Sequence, residues 1–154
     1  MQQVNKLCLS TNREQLGAAG YQHIRIYDVF VGAPNPIINL DGLSKNVTTL
    51  GFNESSTWMF SGGEDCFGRI WDLRAIAPQC QKIFETPSSA VTSGALHPNG
   101  VCLILCDSSG TIHVWDLRND NSQQLVSSYL RCSISSNYLS INSRSLINST
   151  ILDS

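Results

Sequence analysis

Apolar residues in this chain come in short runs that alternate with polar ones, and each run is cut off by Gly, Ser, Asn, Asp or Pro. Such runs, bounded by turn formers, read as β-strands. Apolar runs at 4–9, 47–52 and 91–96 predict the first strand of each of three units. Polar turns follow at 10–14, 53–57 and 97–100, then further apolar runs at 16–19, 58–60 and 101–106. Turns rich in Gly or Ser, at 20–23, 62–65 and 107–110, lead into third strands at 24–28, 68–72 and 112–116. A less regular fourth strand fits 35–40, 81–85 and 123–127. The expected fold is all-β.

Each third strand ends in an aromatic residue followed by Asp: Tyr27-Asp28, Trp71-Asp72 and Trp115-Asp116. The aromatic residues stand 44 positions apart, from 27 to 71 and from 71 to 115. A repeat of roughly 40–45 residues closing on Trp-Asp marks a β-propeller blade, and four strands make one blade. Strand alternation places Ile24, Ile26, Gly68, Ile70, Ile112 and Val114 on one face. Arg25, Arg69 and His113 share the other face with the aromatic residues. A single sheet cannot cover both faces by itself, whereas radial stacking buries each against a neighbour. Two readings stand for Arg25 and Arg69: guanidinium groups stacked beside aromatic rings between blades, or ordinary solvated strand arginines.

At 154 residues the chain holds one domain's worth of material. With 42% hydrophobic and 14% charged residues it has a globular composition. Its net charge of −2 comes with no run of either sign, so no nucleic-acid footprint is expected. No apolar stretch approaches the roughly 18 residues of a transmembrane helix, and residues 1–6 lack a signal peptide's apolar core. A cytoplasmic location, with reduced cysteines, is the expectation. Cys8, Cys66, Cys80, Cys102, Cys106 and Cys132 include no C-x-x-C pair, and Cys102 and Cys106 have no His at zinc-finger spacing. They read as packing residues.

Catalytic chemistry finds little support. His23, His97 and His113 form no recognisable set, and no nucleophile elbow, phosphate loop or metal signature is present. Asp65 sits in a turn where its carboxylate can accept backbone N–H bonds. The expectation is a non-enzymatic protein with no metal, no cofactor and no small-molecule substrate.

The stretches 20–28, 62–66, 69–74 and 112–117 resemble the WD-repeat family. Tyr21-Gln22-His23 and Gly63-Glu64-Asp65-Cys66, with Asn35-Pro36-Ile37-Ile38, Gln79-Cys80-Gln81 and Leu96-His97-Pro98-Asn99, narrow the resemblance to the G-beta-like subunits of target-of-rapamycin kinase complexes. It covers about residues 4–118. What it implies is a seven-bladed propeller without catalytic activity that docks on the kinase domain of a large protein kinase in growth signalling, recruited through its complex to endomembranes. The chain departs from the family pattern in lacking the Gly-His pair before the second and third units. Only Asp65 occupies its turn position, with Gln22 and Ser109 at the comparable places, so the Asp-His-Ser-Trp relay of such blades is expected to be incomplete.

Residues 1–118 are therefore read as three repeats, with blades at about 4–40, 47–85 and 91–127. Residues 119–154 change character, with eleven Ser and no Gly, Pro or Trp. Two readings stand for them: a degenerate fourth repeat with strand remnants at 132–134 and 146–150, or the product of a shifted frame or altered splice junction. Three blades cannot close a ring, so an open arc with exposed outer faces is expected, marginal or aggregation-prone by itself. Because strands are committed to packing, partner contacts are expected on turns of one rim. The candidates are Tyr21, Gln22, His23, Lys45, Asn46, Glu64, Phe67, Ser108 and Ser109, with Tyr21 and Phe67 favoured as aromatic anchors. Phe67 has an alternative place inside the sheet. Two other readings stand beside the kinase scaffold: a generic peptide-binding WD module, and a truncated, non-functional product of a longer propeller gene.

Overall fold

The computed structural model of the chain describes residues 3–75, 77–86, 89–98 and 100–118, and the backbone of 124–129. The expected strand remnants at 132–134 and 146–150 lie outside the described residues. The first sheet comprises β1 (Val4–Leu9), β2 (Gln15–Gly20), β3 (Ile24–Asp28) and β4 (Ile38–Leu40). The second comprises β5 (Val47–Phe52), β6 (Trp58–Gly63), β7 (Phe67–Asp72) and β8 (Cys80–Glu85). The third comprises β9 (Val91–Leu96), β10 (Cys102–Asp107), β11 (Thr111–Asp116) and β12 (Gln124–Tyr129). Each sheet is an antiparallel meander in chain order. The described residues thus form three four-stranded blades of an incomplete WD-type propeller arc.

The second strands run further than their apolar residues suggest. Gly62 and Gly63 belong to β6, and Asp107 to β10, although residue type assigned them to turns. Register explains this, because Gly62 pairs with both Thr49 and Gly68 and stays in the ladder. The fourth strand of the first unit is shorter than its apolar pattern, three residues from Ile38.

Side-chain rows set the stacking. Phe52, Met59 and Trp71 stand opposite one another across β5, β6 and β7. Leu96, Leu103 and Trp115 do the same across β9, β10 and β11. Trp71 buries itself among Ile24, Ile26 and Leu40 of the first sheet, in one core with Val47, Leu50 and Met59. Trp115 packs in the second core with Phe60, Ile70 and Phe84, its ring 5.3 Å from that of Phe84. Trp71 and Trp115 are therefore wedges, each driven into the preceding blade. The inner strands are also stitched: Asn5 Nδ2 donates to the Val47 carbonyl at 3.4 Å, and Thr48 Oγ1 to that of Val91 at 2.6 Å.

The first sheet's equivalent row is Leu9, Leu16 and Tyr27, which belongs to neither core. Leu7 and Leu9 are 56% and 48% exposed. Leaving about half of each side chain in water forgoes roughly half of the 1.5–3 kcal/mol that full burial would return, which is the energetic side of an open arc.

Leu105 shows how closely the second and third sheets approach. It is fully buried. A Cβ on Gly68 would lie 2.5 Å from Leu105 Cδ1, and one on Gly94 would lie 2.7 Å from Cδ2. Two glycines, one from each sheet, thus form the socket for one leucine. Gly68→Ala should destabilise the chain by about 1–3 kcal/mol through overpacking. Leu105→Val should recover part of that loss, read as non-additivity in a urea-denaturation double-mutant cycle; simple addition would refute the socket.

Candidate functional site

The turns joining second to third strands, and fourth to next first strands, lie on one rim. Five of the nine candidate residues form a hydrogen-bonded seam there between the first and second sheets. Tyr21 makes an isolated antiparallel bridge with Asn46. Gln22 takes a positive φ of 64° and donates its N–H to the Lys45 carbonyl at 3.1 Å, while its Nε2 donates to the Ser44 carbonyl at 2.9 Å. Asn46 accepts from Asn5 through Oδ1 at 3.3 Å and donates from Nδ2 to Glu64 Oε2 at 3.1 Å. The Glu64 N–H closes the seam on the Asn46 carbonyl at 2.9 Å. Tyr21, Gln22, Lys45 and Glu64 stay exposed, and Asn46 is half-buried. Much of the polar capacity of this rim is spent inward. Tyr21 alone presents a large exposed ring, at 55%.

The other four candidates lie elsewhere. His23 is half-buried and lines a cleft of about 50 Å³ on the first sheet's open face, with Val4, Arg25 and Tyr27. Phe67 is half-buried, with the Arg69 guanidinium carbon 5.3 Å from its ring centre. Arg69 thus follows neither of its two readings: it is buried rather than solvated, and the ring beside it is two residues away on its own strand. Arg69 Nη2 also meets Asp65 Oδ2 at 2.8 Å, with both side chains at most 10% exposed. Ser108 and Ser109 are exposed in the third sheet's turn, where Ser109 Oγ donates to Asp107 Oδ1 at 2.6 Å.

The third unit does have an acid at this turn, but at Asp107 rather than at position 109. Asp107 Oδ1 accepts the Ser109 and Thr111 N–H groups at 2.9 Å each, and its Oδ2 lies 2.9 Å from His113 Nε2. Asp107–His113 is thus the counterpart of Asp65–Arg69, displaced because its carboxylate reaches the turn from the end of β10. The signal was His113 standing at the arginine position. Burial pushes the Asp107 carboxyl up, but the hydrogen bonds from His113, Ser109 and Thr111 more than offset this and hold it below the usual carboxylate range.

The relay survives in part. Trp71 Nε1 donates to Ser61 Oγ at 2.9 Å in the second blade. In the third blade Leu105 occupies the position of Ser61, 44 residues on, and Trp115 Nε1 is buried without a hydrogen-bond partner. The Trp-Asp acids close the opposite rim. Asp72 is bracketed by Arg74 at 2.6–3.2 Å, and Asp116 by Arg118 at 2.8–3.3 Å. These arginine hydrogen bonds hold both carboxyls below their usual range, Asp72 well below it.

No cluster of three metal-binding side chains occurs among the described residues. Burial pushes the Cys8 and Cys80 thiols up, away from the reactive thiolate. No helix among the described residues is long and apolar enough to cross a membrane.

Two predictions follow from these contacts. Ser61→Ala orphans a second buried indole N–H and should cost about 1–3 kcal/mol in chemical denaturation. Because the folded Asp107 carboxyl titrates below its unfolded value, its contribution is present above about pH 4 and is lost as pH falls through the folded pKa. The stability gap between wild type and Asp107→Asn, measured from pH 7 to pH 3, should therefore narrow in acid; a constant gap would refute the assignment.

Comparison with known proteins places this architecture. The WD domain, G-beta repeat family matches residues 34–72 and 78–116, half of the chain. The mouse protein named "Target of rapamycin complex subunit LST8" is 51% identical over 124 residues, 80% of this chain and 38% of its own length. The Drosophila melanogaster "Protein LST8 homolog" is 41% identical over 80% of this chain and 39% of its own length. The Schizosaccharomyces pombe "Target of rapamycin complex subunit wat1" is 35% identical over 125 residues, 80% of this chain and 39% of its own length. The chain thus spans about two fifths of the length of these relatives. With its repeat, its sheets and its tryptophan wedges in place, the chain belongs to the WD-repeat, G-beta repeat family.

Proposed function

We propose that the chain acts as a non-catalytic WD-repeat subunit of target-of-rapamycin complexes, docking on the kinase domain and holding it in a signalling-competent assembly in the cytoplasm. The observation that carries this reading is 51% identity over 80% of the chain to a relative named as a target-of-rapamycin complex subunit. The geometry supports a docking role, since strands are used up in stacking while the rim between the first two sheets presents Tyr21 on a rigid hydrogen-bonded base. Preorganisation of this kind lowers the entropy lost on binding. Recruitment to endomembranes would then be a property of the assembly.

The test is equilibrium binding of the full chain to a purified target-of-rapamycin kinase freed of its own propeller subunit. Wild type should bind, and Tyr21→Ala should weaken binding at least ~10-fold with an unchanged melting temperature. Absence of any wild-type binding would overturn the proposal.

A further inference from the structure

Residues 30, 74 and 118 stand 44 positions apart, in step with the aromatic residues, yet only the last two are arginine. In the second and third units that arginine folds back on the Trp-Asp carboxylate, Arg74 on Asp72 and Arg118 on Asp116. In the first unit the position is Phe30. Among the described residues Asp28 Oδ1 instead accepts backbone groups, the N–H of Phe30 at 2.8 Å and of Val31 at 3.0 Å. The Val29 N–H is held by the Glu14 carbonyl at 2.9 Å, and Gly32 completes the turn with φ of 61°. The backbone is thus pinned while its side chains point to water: Val29 is 46%, Phe30 78% and Val31 71% exposed. A lone exposed apolar residue is ordinary. Three in succession on a hydrogen-bonded turn, where the sister units carry a charged clamp, are not.

The charges beside this tip decide what would cover it. Asp28 and Glu14 flank its base, and Arg13 is the one cation in the adjoining turn. Two carboxylates against one guanidinium oppose an anionic lipid surface, which attracts clusters of Lys and Arg. They complement a protein socket that is apolar within and basic at its edge. We propose that Phe30, flanked by Val29 and Val31, is an anchor that inserts into such a socket on the kinase itself, on the rim opposite Tyr21. This rests on the complex-subunit reading above.

Phe30→Arg supplies the residue that the other two units already accommodate, so the variant should fold and its melting temperature should match or exceed wild type. Full-chain wild type, Phe30→Arg and Phe30→Leu would be titrated against the purified kinase freed of its own propeller subunit. They would also be titrated against phosphatidylcholine vesicles with and without phosphatidylserine. Phe30→Arg should bind the kinase at least ~10-fold more weakly and Phe30→Leu within ~3-fold of wild type, with no vesicle binding by any form. Should Phe30→Arg fail to fold, Phe30→Ser serves the same comparison. Undiminished kinase binding by the folded variant overturns the anchor and leaves the complex-subunit reading standing. Loss of wild-type kinase binding overturns both, and Phe30-dependent binding to vesicles overturns the protein socket in favour of a membrane.

Discussion

Everything in this arc depends on the fact that a four-stranded antiparallel sheet of this composition has two apolar faces and can solvate neither cheaply. The tryptophan row answers that constraint. Trp71 and Trp115 lie on the rear face of their own sheets, and each fills the forward face of the sheet before it. The 44-residue interval is the sequence trace of that packing, because each unit must return its aromatic residue to the same depth in the stack. Glycine completes the arrangement where the sheets come closest. Gly68 and Gly94 leave room for Leu105 in an interface that would otherwise be held apart by side chains.

Leu105 also exposes a trade between polar and apolar solutions at one position. The second blade uses Ser61 to satisfy its tryptophan N–H. The third places a leucine there, gains a knob between two glycines, and leaves the Trp115 N–H buried and unpartnered. An unsatisfied buried donor costs roughly 1–3 kcal/mol, and full burial of a leucine returns roughly 1.5–3 kcal/mol. The two are of one size, so neither solution dominates and repeats can drift between them without losing the fold. A pairing of carboxylate with side-chain nitrogen beside them is kept in both blades, as Asp65–Arg69 and Asp107–His113. It fixes the turn into the third strand, and without it a buried carboxylate would lose its partner.

Periodicity made the architecture legible: strand order, the two faces of the third strands and the aromatic wedges all follow from residue type at fixed spacing. What it missed were positions set by register and reach. Gly62 and Gly63 look like a turn, yet their pairing keeps them in β6. Asp107 sits two places from where alignment seeks an acid, because a carboxylate at a strand end can cap the same N–H groups. Arg69 found its aromatic partner two residues away on its own strand, a contact the alternation rule permits and a search for neighbouring blades overlooks. At the rim, residue type alone could not separate Gln22, Asn46 and Glu64, whose hydrogen bonds knit two blades, from Tyr21, whose ring faces water.

That separation gives a physical criterion for reading function on a repeat scaffold. A polar rim residue is weak support for a partner site when its donors and acceptors are already committed within the fold, since recruiting them would mean breaking bonds worth as much as those formed. An exposed apolar side chain on a pinned backbone is the opposite case, because it gains from burial and has little ordering entropy left to lose. Internal repetition supplies the control that a single domain lacks. In the turns after Trp-Asp, Arg74 and Arg118 are committed to a carboxylate of their own blade. Phe30 occupies the same turn with the same backbone support, but its side chain turns to water instead of clamping the acid two residues before it, and that contrast is what supports a contact outside the blade.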